Sequence, residues 1–275
     1  MKNQSQAKYL AVLSVALLVS CGKPKKTTGT QIGNGKSNQD ASAKLAEVTW
    51  DSFPSAEEVM EFYQADSDFF KIKTTADIPE DLQWEDGSDE PVFSSSKAKG
   101  GGTMNVYTGD WPRTLRFVGP DASGSFRRHI LDSNALGLVD NHPETDGYYP
   151  AIAKRWAVAG DKRTVYFELD PDARFSNGAL VKVTDFFFHF YFMRSKHIKA
   201  PWYNDHYDNE KFKNITIYNS RTLSLTFYKA KPDVVHKVNI RPVPEHHYEE
   251  IDEDYLKDYQ WVFEPTAGPY EVKKK

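Results

Sequence analysis

Alternation of apolar and polar residues predicts several β-strands in the second half of the chain. The run Thr164–Leu169 alternates strictly, which places its three most apolar residues on one face of a strand. Two more runs rich in β-branched and aromatic residues, 214–218 and 222–228, are separated only by the turn-forming residues 219–221. This spacing predicts a β-hairpin with a three-residue loop.

Helical patterns occur in two places. Residues 184–195 are apolar nearly all round, which is typical of a buried element, and Asp185 near the start and Arg194 near the end favour a helix because they complement its dipole. Residues 55–64 combine a partial apolar face with the order Ser55-x-x-Glu58, which predicts a helix that begins with a capping box. Hairpins mixed with isolated helices predict an α+β (mixed α/β) fold.

The first twenty residues have the layout of a secretory signal. Lys2 and Lys8 precede an apolar run over 9–19, which is too short to cross a bilayer core of about 30 Å as a helix. The run closes on Leu18-Val19-Ser20-Cys21, which resembles the signal of bacterial lipoproteins. We therefore predict a signal peptide over 1–20 and lipidation of the Cys21 thiol; an ordinary signal peptide that passes through Cys21 is the alternative.

Composition divides the rest of the chain into three parts. Residues 21–46 are polar and rich in Gly, Ser and Lys, which predicts a flexible tether behind the lipid anchor. In 47–96 acidic side chains far outnumber the two basic ones, Lys71 and Lys73, so this part is predicted as an acidic N-terminal extension. The third part, 97–275, has balanced charge and carries most of the strand signals.

Charge and cysteine content exclude several classes of function. With 35 basic and 39 acidic residues the net charge is −4, which argues against a nucleic-acid partner. The single cysteine excludes an internal disulfide, a multi-cysteine zinc site and an iron–sulfur cluster. Adjacent His246 and His247 lack the spacing of a helical zinc pair, and no G-x-S-x-G elbow is present. We expect no metal, no cofactor and no catalytic residue, although a pair of carboxylates placed together by the fold is left open.

One stretch of the chain resembles a known family. Residues 149–192, followed by 242–246 and 265–270, resemble in order and spacing the motifs of bacterial solute-binding protein family 5, the peptide-binding components of ABC importers. Residues 79–120 look like the subgroup with an extended N-terminal segment, which includes the peptide-binding proteins used for microcin uptake. The matching residues in the first stretch are Pro150, Ala153, Trp156, Asp161, Thr164, Phe167, Leu169, Asp170, Ala173, Phe175, Ser176, Asn177, Gly178 and Asp185.

The resemblance implies a lobe with class II periplasmic-binding-protein architecture and a function of binding without catalysis. The expected protein is lipid-anchored in the cell envelope, faces the periplasm or exterior, captures peptides and delivers them to ABC permease subunits. It also implies ligand contacts from two loops, with Trp111 and Arg116 in one and Trp202 and Tyr203 in the other. Two alternatives are a surface lipoprotein that acts as a scaffold or adhesin, and a binding protein for another ligand such as a nickel chelate, haem or an oligosaccharide.

The resemblance also raises an expectation about length. The family continues for several hundred residues beyond the Gly-Pro-Tyr turn, into a second ligand-facing lobe, whereas this sequence stops at Lys275, five residues after Tyr270. The sequence is therefore expected to be the N-terminal portion of such a protein, truncated before the second lobe. Gene neighbours that encode permeases and ATPases would favour the importer over the scaffold.

Overall fold

The computed structural model describes residues 45–99, 105, 107–208, 211–248 and 251–270. Short helices are scattered along these ranges, and one longer helix, α3, lies at the centre. A π-helical stretch, Arg128–Asp132, continues α2 directly. The helices are α1 (Glu57–Ala65), α2 (Ser125–Arg127), α3 (Thr184–Arg194), α4 (Pro201–His206), α5 (Val234–Val238) and α6 (Tyr255–Asp258). The predicted signal peptide, most of the tether and Cys21 lie outside the described residues.

A six-stranded sheet, in the order β1-β7-β8-β6-β5-β2, forms the framework of the fold. All of its pairings are antiparallel except that of the edge strand β1, which runs parallel to β7. A separate two-stranded ladder joins β3 and β4. The strands are β1 (Phe70–Ile72), β2 (Trp84–Glu85), β3 (Val139–Asn141), β4 (Tyr148–Pro150), β5 (Ala153–Val158), β6 (Thr164–Leu169), β7 (Phe212–Ile217) and β8 (Thr222–Phe227).

The predicted strand at 164–169 is confirmed as β6, which lies inside the sheet between β8 and β5. Its apolar face, with Val165, Phe167 and Leu169, lies in the main hydrophobic core. On the opposite face Tyr166 joins a smaller cluster with Ala157 and Tyr218. Both faces of β6 are thus covered, although the alternation indicated only one buried face.

The hairpin is confirmed as well, although β7 begins two residues earlier and ends one residue earlier than expected, so that residues 218–221 form the loop instead of 219–221. β7 and β8 pair antiparallel, with Ile217 opposite Leu223. In the loop, the Asn219 carboxamide oxygen accepts hydrogen bonds from the backbone N–H groups of Arg221 and Thr222, at 2.8 and 2.9 Å. Asparagine favours such turns because its side chain can replace a backbone acceptor.

The apolar segment at 184–195 forms α3, and all of its residues except Arg194 are buried. Different aromatic neighbours cover different sides of the helix. Phe187 packs against rings from the N-terminal segment, Phe190 against Phe212 of β7, and Phe192 against Tyr255 of α6. A helix that is apolar all round is stable only when it is enclosed in this way.

Residues 47–96 are integrated into the sheet. They supply both of its edge strands, β1 and β2, and the rings of Tyr63, Phe69 and Phe70 are almost completely buried. The predicted boundary at residue 97 therefore does not separate two structural units. The capping box predicted for α1 is wrong: the helix begins at Glu57, Ala56 is its N-cap, and no side chain caps it.

Mixed antiparallel strands and separate helices confirm the predicted α+β class. Within the described part of the chain, no helix is both long enough and apolar enough to cross a membrane.

Candidate functional site

A cavity of about 460 Å³ opens beside α4, within the size range typical of small-molecule sites. We call it the α4 cavity. One wall is α2 with the stretch that follows it to Gly137, and the opposite wall is α4. One face of α3, with His189, Phe192 and Met193, forms the floor, and residues 239–243 and 264–269 close the remaining sides.

Arg127 connects two walls of the α4 cavity. Its Nη2 donates to the Tyr203 hydroxyl at 2.9 Å, its Nη1 donates to the carbonyl oxygen of Phe117 at 2.8 Å, and its Nε lies 3.4 Å from Asp132. Arg241 approaches the same carboxylate at 3.8 Å. Two guanidinium groups and a carboxylate therefore lie on one side of the cavity, so that it presents both signs of charge.

Two buried or half-buried asparagines hold the loops of this cavity together. Asn239 forms a reciprocal pair with the backbone of Val139, donating to its carbonyl at 2.8 Å and accepting from its N–H at 3.1 Å. Asn134 donates to the Thr266 hydroxyl at 3.1 Å and bonds the backbone of Tyr270 in both directions. These bonds fix chain segments that are 100 and 132 residues apart in sequence.

Glycine is required at one point of this arrangement. A Cβ atom on Gly268 would collide with the backbone carbonyl of Asn134. The close approach lets the turn before Tyr270 pack directly on the stretch that follows α2. This part of the cavity wall therefore requires glycine at position 268.

The α4 helix presents aromatic rings at the cavity mouth. Pro201 is its first residue, a position where the missing N–H costs nothing. Trp202 is 65% exposed and stacks on His206, with the ring centroids 4.8 Å apart. The Asn204 carboxamide donates to the carbonyl oxygens of Met193 and Ser195 and thereby ties α4 to the end of α3.

Two ionisable groups in the cavity wall have shifted pKa values. Burial lowers the pKa of His189 to about 3, so its ring is neutral at physiological pH. Burial raises the pKa of Glu264 to about 7, against the opposing effect of a hydrogen bond from the Tyr248 hydroxyl. The floor is therefore mostly uncharged, and the permanent charges lie at the side formed by Arg127, Asp132 and Arg241.

Of the residues predicted to contact a ligand, the α4 cavity brings together Trp202 and Tyr203. Trp111 is 65% exposed and does not line it. Arg116 is 8% exposed and also lies outside the lining; its guanidinium donates to the carbonyl oxygens of Leu256 and Pro120. These bonds give Arg116 a packing role between the loop after β2 and α6.

Sequence reasoning missed the polar residues that build the cavity wall, among them Arg127, Asn134, Asn239 and Glu264. The partners of Asn134 and Asn239 lie a hundred or more positions away in sequence, so local spacing carried no signal for them. The one available indication was the glycine-containing turn at 265–270, which the family resemblance had marked and which packs on Asn134. Within the ranges that the structure describes, no group of three or more His, Cys, Asp or Glu side chains is placed to hold a metal ion.

Comparison with known proteins identifies the class to which this site belongs. Residues 147–275 match the family described as "Bacterial extracellular solute-binding proteins, family 5 Middle". The match covers just under half of the chain, so this part is similar to family 5 solute-binding proteins. With the mixed α+β architecture it confirms a lobe of the periplasmic-binding-protein type. Curated proteins gave no match.

Several solved structures resemble the chain at low sequence identity. Haemophilus influenzae OppA in complex with RPPGFSPFR is 19% identical, with a TM-score of 0.44 over 55% of this chain and 33% of that one. A periplasmic oligopeptide-binding protein of Borrelia burgdorferi, OppAIV, is 22% identical, with a TM-score of 0.43 over 60% and 35%. Campylobacter jejuni NikZ with Ni(L-His) is 22% identical, with a TM-score of 0.42 over 51% and 28%. The chain thus spans about a third of the length of these structures.

Proposed function

We propose that this protein is the lipid-anchored substrate-binding component of an ABC importer, which captures peptides outside the cytoplasmic membrane and delivers them to permease subunits. The observation that carries the proposal is the family 5 match over 147–275, because these residues build three sides of the α4 cavity. Binding is the whole activity in this proposal, without covalent chemistry.

The α4 cavity suits a peptide in three respects. Asp132 and Arg241, which are partly exposed and approach each other only to 3.8 Å, can pair with a peptide's amino and carboxyl groups, and the exposed Trp202 offers an apolar surface to a side chain. Its own hydrogen bonds fix its walls, so little conformational entropy is lost when a ligand binds. A cavity of about 460 Å³ accommodates part of a short peptide, such as one or two residues.

Peptide specificity is tested by thermal unfolding of the mature protein with peptides, sugars or nickel salts. A ligand at a hundred times its Kd stabilises the native state by about 2.7 kcal/mol, which raises the melting temperature. We expect such a shift from short peptides alone. A shift from a sugar or a nickel chelate, with none from a peptide library, would contradict the peptide assignment.

The site within the fold is tested by substitutions of exposed tryptophans. Trp202→Ala is expected to weaken peptide binding about tenfold, which corresponds to about 1.4 kcal/mol. Trp261→Ala is the matched control, because Trp261 is 57% exposed and does not line the cavity. Trp111→Ala tests the ligand contact that was predicted for Trp111. Equal affinity in the Trp202 and Trp261 variants would place the ligand elsewhere.

Anchoring through Cys21 is a separate part of the proposal, supported by the signal-like sequence before it. In bacteria fed a labelled fatty acid, Cys21→Ser is expected to abolish labelling and to release the protein from the membrane fraction. Ser20→Ala keeps a small residue before the cysteine and should leave both unchanged. A Cys21→Ser protein that is still labelled and still sediments with membranes would contradict the anchor.

A further inference from the structure

A second and larger cavity, of about 850 Å³, lies nearer the start of α3, where Thr184, Asp185 and Phe188 line it, whereas His189, Phe192 and Met193 line the α4 cavity. We call it the α1 cavity, because the residues that lead into α1, 54–59, form one of its walls. The opposite wall consists of residues 179–182, the start of α3 and residues 245–251 in the described ranges. The family match assigns no role to this space, since one of its walls lies outside the matched residues.

Three polar side chains of this cavity have no hydrogen-bond partner among the described residues. They are Ser55 through its hydroxyl, Thr184 through its Oγ1 and Glu245 through both carboxylate oxygens. Thr184 and Glu245 are only 6% and 9% exposed. A buried polar atom without a partner costs about 1–3 kcal/mol, and more for a charged group, so a cluster of such atoms at one cavity indicates a missing partner.

The backbone holds the two buried carboxyl groups of the α1 cavity, Asp185 and Glu245, close together, while its third acid, Glu58, is exposed. Asp185, 3% exposed, accepts a hydrogen bond from the Lys182 N–H at 2.7 Å and another from the Glu245 N–H at 3.2 Å. Burial raises the pKa of Asp185 to about 7 and also raises that of Glu245, where the nearby Ser55 hydroxyl, which forms no well-aligned hydrogen bond with the carboxyl group, and the charge of Lys182 act in the opposite direction. A cation beside them would restore the ionised forms that burial disfavours.

Basic side chains at the rim offer little compensation to the carboxyl groups. Arg174 is exposed and donates to the carbonyl oxygen of Gly178 at 3.0 Å. His246 contacts the Asn177 carboxamide at 2.9 Å, and burial lowers the pKa of its ring. The Lys182 side chain is exposed, and Glu245 makes no ion pair with it.

The size and the walls of the cavity indicate what kind of cation would fit. The rings of Phe188 and Tyr248 line it and stack with 26° between their planes, and aromatic faces attract organic cations. A volume of about 850 Å³ exceeds what a single metal ion needs, and the described residues contain no metal-binding group of three carboxylate, imidazole or thiol ligands. The hydroxyls of Ser55 and Thr184 add acceptors for N–H donors.

We propose that the α1 cavity binds a small organic cation, an ammonium or guanidinium group on a short apolar stem, with Glu245 as its carboxylate partner and the Ser55 and Thr184 hydroxyls as further acceptors. The site is separate from the α4 cavity and does not depend on the peptide proposal. Since residues 54–59 form one wall, the bound cation would also link the N-terminal segment to the family 5 part of the chain.

The test uses n-butylguanidinium chloride as the probe and n-butylurea, its uncharged analogue of nearly the same shape, as the control at equal ionic strength. We expect n-butylguanidinium at millimolar concentration to raise the melting temperature of the mature protein, and n-butylurea to leave it unchanged. Equal effects of the two compounds, or no effect of either, would overturn the proposal.

Variants locate the binding site. Glu245→Gln is expected to weaken n-butylguanidinium binding at least tenfold. Glu264→Gln is the control: it changes an acid of the α4 cavity and is expected to keep full affinity. If Glu245→Gln does not fold, Thr184→Val removes an unpaired acceptor and is expected to weaken binding two- to fivefold. Undiminished binding in the folded Glu245 variant, or equal losses in the Glu245 and Glu264 variants, would contradict this location.

Discussion

The two cavities lined by α3 differ in how their polar groups are used. In the α4 cavity Arg127, Asn134 and Asn239 form hydrogen bonds with partners in other segments. In the α1 cavity Thr184 and Glu245 are just as deeply placed and lack partners among the described residues. Paired groups build a rigid wall, while unpaired ones retain binding capacity at the expense of stability.

Helix α3 contributes residues to both cavities. Phe192 and Met193 of α3 line the α4 cavity, whereas Asp185 and Phe188 line the α1 cavity. A third side, with Phe187, packs against the rings of Phe53, Tyr63 and Phe70. The apolar character all round the helix, which at first indicates only burial, thus reflects three different environments.

The largest effect on stability is expected from a substitution of Phe187, where α3 packs against the N-terminal segment. Phe187→Ala removes a fully buried ring at the junction with the N-terminal segment and is expected to lower the free energy of unfolding by about 3–5 kcal/mol. Denaturant titration measures this value. The exposed Trp261→Ala is the control, with an expected change below about 0.5 kcal/mol. Similar values for the two variants would show that α3 is not the common support of both cavities.

A smaller effect concerns the pH dependence of stability, to which one buried acid of each cavity contributes. The pKa of Asp185 is raised from 3.8 to about 7, so the folded state retains a proton that the unfolded state releases. This contribution to stability is full below pH 3.8 and is lost as pH rises through about 7, a change of roughly 2–4 kcal/mol. Asp185→Asn is therefore expected to flatten the fall in stability between about pH 4 and 7, measured by denaturant titration.

Glu264→Gln provides the comparison for that measurement. Its pKa is raised from 4.5 to about 7, over a narrower interval, so its substitution is expected to flatten the same profile less. An unchanged profile in Asp185→Asn would contradict the buried, proton-retaining state of this side chain.

Arg127→Met tests the paired network of the α4 cavity. It deletes bonds to Tyr203 and Phe117 while keeping an apolar stem of similar length, and we expect a loss of about 1.5–3 kcal/mol in thermal or chemical unfolding. Tyr203→Phe removes one of these bonds and is expected to cost about 0.5–1.5 kcal/mol. A neutral Arg127→Met would mean that the network does not hold the wall.

Thr184→Val should have the smallest effect, because its hydroxyl lacks a partner among the described residues. The isosteric change is expected to alter stability by less than about 1 kcal/mol, in the stabilising direction. A loss comparable with that of Arg127→Met would show that the hydroxyl is engaged, and the contrast between the two cavities would disappear.

Local patterns were sufficient for the elements and insufficient for the cavities. Strand β6, the hairpin of β7 and β8, and helix α3 follow from periodicity and turn residues within short windows. The bond between Asn134 and Thr266 joins residues 132 positions apart, and no local pattern encodes it. The capping box at Ser55 is absent because the helix begins one position later than this pattern requires, with Ala56 as its N-cap, and Ser55 lines the α1 cavity.

Trp202 and Tyr203 were predicted as ligand contacts only through the family resemblance, and they lie in helix α4 instead of the expected loop. What distinguishes them from Trp111 is α4, which Asn204 ties to α3 and which thereby turns both rings towards a cavity. Arg116 was also predicted to contact the ligand, but its guanidinium group donates hydrogen bonds to the backbone carbonyl oxygens of Pro120 and Leu256.

The central claim is that the protein has two separate binding sites, both lined by α3. Hydrogen–deuterium exchange with each ligand tests this claim most directly. A bound peptide is expected to slow amide exchange in 127–137 and 264–269 and to leave 54–59 unchanged, while n-butylguanidinium is expected to protect 54–59 and leave 127–137 unchanged. Protection of the same segments by both ligands, or the reverse assignment, would contradict it.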